Sequence, residues 1–242
     1  MMRIALLQLA VMFVPLDDPY RAITNLTVAK PEDLVHVKAT PAPKGAIVLF
    51  EGQSLDGWTK VDGKTPAPWK LVAPDIMEVQ GGSIMTKQKF AGRFHLHVEF
   101  RVPYMPDAKG QAKGNSGVYV QGRYEVQILD SYGLVSKDDD CGAIYGIAAP
   151  KVNACKAPTV WQSYDIDFAA PVFIDGKKVK PAIMSVKHNG VLIHDHVEIN
   201  SDNTRAGLGG DPTQPGPIML QDHGNPVQYR AIWIMPIDSM KD

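Results

Sequence analysis

The sequence predicts an all-β fold, a jelly-roll β-sandwich of two antiparallel sheets, on three observations. Short apolar runs alternate with polar residues at period two, as half-buried strands require. The 21 glycines and 19 prolines are scattered between those runs, so turns are many. No amphipathic stretch is long enough to supply the helices of a parallel sheet. Because the strands are many and short, two sheets packed face to face fit better than a closed barrel.

Taken in order, the chain begins with Met1-Met2-Arg3 and the apolar run Ile4 to Val14. A positive start and a short hydrophobic core match a secretory signal, and the run is too short to span a bilayer. No A-x-A cleavage site follows. Residues 1–14 are therefore read as a signal peptide or hydrophobic N-terminal segment, with a short core element as the alternative. Export would place the protein outside the cytoplasm, periplasmic or secreted. Residues 15–45 carry five prolines and no sustained periodicity, which predicts an extended linker. A single domain, 46–238, opens with Ala46-Ile47-Val48-Leu49-Phe50. Phe94, Leu96, Val98, Phe100 and Val102 alternate with His95, His97, Glu99 and Arg101, the pattern of an antiparallel strand with one wet face. Tyr164, Ile166 and Phe168 alternate with Ser163, Asp165 and Asp167 in the same way. Asn189-Gly190, between Met184 to Lys187 and Val191 to His194, is a strong signal for a two-residue hairpin.

At 242 residues, 45% hydrophobic and 21% charged, the chain can bury one substantial core. A net charge of -1, with neither a basic stripe nor an acidic tail, argues against nucleic acid or an anionic membrane as partner. A neutral ligand fits better, and no transmembrane segment is expected. Cys141 and Cys155 lie fourteen residues apart in a loop-like stretch. A disulfide between them would suit export, with two free buried thiols as the alternative. Zinc-type ligand spacings are absent around them.

The residues from Gly117 to Gly133 carry the most chemistry. Tyr124, Val126 and Ile128 form one apolar row, so Glu125 and Gln127 face the other way. A β-bulge near Leu129 would bring Asp130 onto their face. The order E-V-Q-I-L-D resembles the E-x-D-x-x-E pattern of retaining glucanases, with two of the three acids changed. Glu125 is the leading catalytic candidate, because a carboxylate held among apolar neighbours has its pKa raised into the general acid and base range. His223, read in a polar row with Met219 and Gln221, is the second. Gln221, Asn225, Gln127, Asp130 and Arg230 are candidate hydrogen-bonding groups for a substrate. Tyr145 and Trp161 are candidates for stacking on a sugar ring, with a place in the core as the alternative. The pairs His95/His97 and His194/His196 resemble metal-ligand geometry but lack a third ligand in sequence, so they are read as exposed strand histidines. Asp138-Asp139-Asp140 is read as a solvated loop.

Four groups of residues in order bring a family resemblance. They are Leu49-Phe50-Glu51-Gly52 with Leu55-Asp56-Gly57-Trp58, Asn115 to Asp130, Cys141 to Gly146 with Trp161-Gln162, and Gly216 to Gly224 with Val227 to Arg230. Together they resemble the bacterial 3-keto-disaccharide hydrolase domain family, over about residues 46–237. The resemblance implies a concanavalin A-like jelly-roll sandwich and an oxidised carbohydrate substrate. It also implies cleavage of the glycosidic bond of a 3-keto-glycoside. A ketone at C3 acidifies the C2 hydrogen, so deprotonation, elimination and hydration would give net hydrolysis. Glu125 and His223 would share the acid and base roles, with Arg230 or Gln127 holding the enolate. A divalent ion on Glu125 and His223 is a possible cofactor. Two other readings use the same face: direct endo-glucanase hydrolysis by Glu125 and Asp130, or a non-catalytic carbohydrate-binding module.

Overall fold

Strands whose side chains alternate between apolar and polar hide one face only by pairing with a second sheet, and the chain does this. The computed structural model describes residues 18–21, 23 and 26–237. The hydrophobic N-terminal segment lies outside them. No helix among the described residues is long and apolar enough to cross a membrane. In chain order the strands are β1 (Ile47–Phe50), β2 (Trp58–Lys60), β3 (Lys70–Ala73), β4 (Ile76–Glu78), β5 (Ile84–Phe90), β6 (Arg93–Arg101), β7 (Ser116–Val120) and β8 (Tyr124–Ile128). There follow β9 (Gln162–Ala169), β10 (Val172–Ile174), β11 (Lys177–Lys180), β12 (Ala182–His188), β13 (Val191–Ile199), β14 (Gly216–Leu220) and β15 (Gln228–Pro236). The larger sheet runs β13-β12-β9-β6-β15-β4-β3, with β1 also paired to β15. The smaller sheet runs β2-β5-β14-β7-β8, and β10-β11 is a separate hairpin.

The inward rows follow the sequence alternation. Phe94, Leu96, Val98 and Phe100 of β6 and Tyr164, Ile166 and Phe168 of β9 face Val118 and Val120 of β7, Tyr124, Val126 and Ile128 of β8, and Ile218 and Leu220 of β14. Each such side chain contributes roughly 1.5–3 kcal/mol when fully buried. Asn189-Gly190 turns β12 into β13 with φ of 52° and 80°, the two left-handed residues of a type I′ turn. Gln121 and Gly122 are also left-handed, at φ 54° and 66°, but with Arg123 they make a three-residue loop between β7 and β8.

The described part of the stretch expected to be a linker holds one 3-10 turn, Pro31–Leu34, and runs on without regular structure from Val35, but it is not a free tether. It crosses the outer face of the larger sheet, where that face offers polar partners. Thr40 N donates to Glu99 Oε1 at 2.7 Å, Arg230 Nη2 to the Val37 carbonyl at 3.0 Å, and Trp233 Nε1 to the Thr40 carbonyl at 3.1 Å. Val37 N reaches the Trp161 carbonyl at 3.1 Å, and Trp161 N reaches His36 Nδ1 at 3.0 Å. Proline-rich backbone cannot extend a sheet ladder, so it docks through these side chains instead.

Candidate active site

The three-residue loop Gln121-Gly122-Arg123 pairs Val120 with Tyr124, which fixes the β7–β8 register and places Tyr119 opposite Glu125 and Gly117 opposite Gln127. Since Tyr124, Val126 and Ile128 fill the core, these four positions share the outer face of the smaller sheet. Gly117 is required there: a Cβ at this position would collide with Glu125 Oε1.

Glu125 is 1% exposed, and its Oε2 meets no hydrogen-bond donor. Burial pushes its pKa up to about 7, against a smaller opposing effect of the Tyr119 hydroxyl. Burial, reinforced by Glu125, holds the Tyr119 phenol far above its ordinary value, so it stays a neutral donor. Gln221 Nε2 donates to that oxygen at 2.9 Å, which leaves the phenol proton free for the carboxyl or a substrate. Gln221 is itself fixed by its backbone N–H, 3.0 Å from the Gly117 carbonyl.

Loops from distant sequence run along the free edge of β8. Tyr145 N donates to the Glu125 carbonyl at 3.1 Å, so residues 143–145 run beside the edge strand. Thr204 Oγ1 accepts from Glu125 N at 3.2 Å and donates to the Arg123 carbonyl at 2.9 Å. The next residue, Arg205, is exposed and lies across Gly146, with its guanidinium 5.7 Å from the Tyr145 ring centroid. It forms no ion pair among the described residues. Gln127 Nε2 donates to Gln111 Oε1 at 3.1 Å, and Asn115 Nδ2 donates to the same oxygen at 3.0 Å. Asn225 joins this group through Oδ1, which accepts from Asn115 N at 2.9 Å.

Glu125, Gln127, Tyr145, Gln221 and Asn225 therefore belong to one region, and other candidates do not. Arg230 and Trp161 lie on the outer face of the larger sheet, across the core from Glu125. There Arg230 Nε pairs with Glu99 Oε2 at 2.6 Å, and its guanidinium sits 4.3 Å from the Trp161 ring centroid. Alternation correctly put Arg230 on an outer face; it carries no information about which sheet. His223 is not in a strand. β14 stops at Leu220 because Asp222 accepts from Gly82 N and Gly224 N, both at 2.7 Å, and His223 is exposed in the resulting loop. Asp130 is paired with Lys113 at 2.8 Å. The expected bulge is absent: β8 ends at Ile128, and Leu129 enters the core.

The histidine pairs differ from expectation as well. His97 is buried, 2.7 Å from Asp165 and 3.4 Å from Glu99. His194 is buried and donates to the Gly142 carbonyl at 2.8 Å, whereas His196 is exposed at φ 51°, beyond an irregularity in the register. Asp140 is buried, with Oδ2 accepting from Lys137 N at 2.9 Å, so the Asp138-Asp140 loop is packed at its end. Cys141 and Cys155 are free buried thiols, not a disulfide.

Sequence reading missed Tyr119, Gly117, Thr204 and Arg205. Counting back across the three-residue loop Gln121-Gly122-Arg123 pairs Tyr119 with Glu125. Nothing local marks Thr204 or Arg205, which arrive with the loop between β13 and β14.

Two antiparallel sheets packed face to face with these connections make a concanavalin A-like jelly-roll sandwich. The chain belongs to the family of the 3-keto-alpha-glucoside-1,2-lyase-like domain, which matches residues 45–235. It is 35% identical to a Parabacteroides distasonis ATCC 8503 protein provisionally assigned as a glycosyl hydrolase, covering 81% of this chain and 86% of that one, with a TM-score of 0.72. A second protein of that organism, with the same provisional assignment, is 19% identical over 81% of this chain and 95% of its own, at a TM-score of 0.59. That second likeness shows the fold alone. No functionally curated protein shows significant similarity to the chain. The family match and the 35% identical relative together place it among glycoside-cleaving enzymes.

Proposed function

We propose that the protein cleaves the glycosidic bond of a 3-keto-glycoside, with Glu125 as the base that removes the C2 proton. One observation carries this reading: Glu125 is a single desolvated carboxyl with pKa up to about 7 and an unengaged Oε2. A base poised near neutral pH suits an acidified C–H bond. Paired-carboxylate hydrolysis needs a second acid, but Gln127 stands in its row and Asp130 is taken by Lys113.

In this scheme the C2–H electron pair becomes the C2–C3 π bond of an enolate on O3. The Tyr119 hydroxyl, backed by Gln221, is the neutral donor suited to that oxygen. The enolate then collapses, expelling the C1 oxygen, which takes the proton back from the Glu125 carboxylic acid. Addition of water across the resulting double bond gives net hydrolysis. Tyr145 and Arg205 would hold the sugar at the rim. Because Glu125 is buried, its carboxyl must become accessible before a substrate can reach it.

Incubation with a 3-keto-disaccharide and its unoxidised parent, with and without chelator, tests the reading. Cleavage of the keto-sugar alone is expected. Comparable cleavage of the parent would instead favour direct hydrolysis, and binding without cleavage would favour a carbohydrate-binding module. Loss of cleavage on chelation would assign part of the enolate stabilisation to a divalent ion.

A further inference from the structure

We infer that Cys141, Cys155 and His188 form a buried site for a thiophilic d10 metal ion, Zn2+ or Cu+, that ties the loop beneath the active site to the larger sheet. Their ligand atoms lie within 4.8 Å of one another, and all three residues are buried. The three come from separate parts of the chain, so no ligand spacing betrays them in sequence. Cys141 and Cys155 flank the loop that carries Tyr145, and His188 ends β12.

The histidine is set up as a ligand. Gln162 Oε1 accepts from Lys156 N at 2.8 Å, which identifies that atom as the oxygen, and it lies 2.9 Å from His188 Nε2. His188 must therefore carry its proton on Nε2 and keep the lone pair on Nδ1, the outer-sphere arrangement common to metal-bound imidazoles. A Cβ on Gly142 would stand 3.8 Å from that Nδ1, so the lone pair sits at the Cys141-Gly142 corner. Two thiolates and one imidazole are the donor set of soft d10 ions. Tyr164 Oη, 3.1 Å from Cys141 Sγ, completes the wall of the site and donates to the Gln127 carbonyl at 2.6 Å. An ion here would thus be coupled through Tyr164 and Gly142 to the strand bearing Glu125. This inference does not depend on the proposed reaction.

The test uses the full chain, reduced and stripped of metal, then equilibrated with Zn2+ against a competing chelator, or with Cu+ under anaerobic conditions. Each ion is added to the native protein and also during refolding. We expect one ion per chain for at least one of the two metals, displacing two thiol protons. Affinity then rises about 100-fold per pH unit while both thiols are protonated. Cys155→Ser and His188→Ala should abolish binding, and Gln162→Leu should weaken it about 10- to 100-fold. If those variants do not fold, the wild-type stoichiometry and its pH slope decide alone. Absence of tight binding to reduced wild type would overturn the inference, as would binding retained in folded His188→Ala. A Cys141–Cys155 disulfide in the native protein, seen by mass after alkylation, would also overturn it.

Discussion

At the residue scale, Glu125 is held in a state that disfavours folding and favours chemistry. Its folded pKa is raised from the carboxylate range to about 7, so ionisation is opposed by burial. The linkage follows in sign: the unfolded chain loses this proton first, and stability falls as pH climbs from the unfolded value of about 4.3 towards 7. Glu125→Gln removes that penalty. It should stabilise the fold at pH 8 by about 3–4 kcal/mol, the free-energy equivalent of the shift, and by little at pH 4. The same variant should lower turnover of a 3-keto-glycoside by at least about 100-fold. Denaturant titrations at the two pH values, beside initial rates, check both halves. For the wild type, kcat/KM should rise as pH passes upward through about 7, because the base must be ionised. Gly117→Ala tests positioning: its Cβ would displace the Glu125 carboxyl, so kcat should fall while binding of a keto-sugar persists. A rate equal to wild type would show that this placement does not matter.

At the element scale, the outer face of the larger sheet anchors the N-terminal segment, and Glu99 is its centre. Glu99 is fully buried and accepts from Thr40 N at 2.7 Å and from Arg230 Nε at 2.6 Å. Arg230→Ala leaves that charge without its partner and should cost about 3–5 kcal/mol of stability. Its kcat/KM should be unchanged, since Arg230 lies across the core from Glu125; a selective loss of rate in a folded variant would return Arg230 to the site. His97 gives this face a pH signature. Burial depresses its pKa, but hydrogen bonds to Asp165 and Glu99 prevail and raise it overall. Its contribution is complete below the unfolded histidine value of about 6.5 and is lost as pH rises through the folded one. Asp165, despite burial, is held well below the usual carboxylate range by His95 and His97, so its contribution is lost at the acid end. Thermal melts across pH should therefore show wild type losing stability above about pH 6.5 more steeply than His97→Gln.

At the scale of the whole molecule, what was legible in the sequence is whatever a single strand or turn encodes. The inward rows of β6, β8 and β9 and the Asn189-Gly190 hairpin were readable from alternation and from one dipeptide. The pairing of sheets was not. Glu125 and Arg230 each stand in a polar row, yet they face opposite ways out of the sandwich because β8 and β15 belong to different sheets. Loop residues fared worst: His223 was read into a strand that Asp222 ends, and Arg205 reaches Tyr145 only through the loop that Thr204 pins to β8. The Cys141, Cys155 and His188 cluster is likewise invisible until β12 is laid beside the loop. The central claim concerns one proton. In deuterated water, cleavage of a 3-keto-disaccharide by the wild type should place deuterium at C2 of the released keto-sugar, and Glu125→Gln should abolish both the label and the cleavage. Cleavage by the wild type with no deuterium entering C2 would contradict the account.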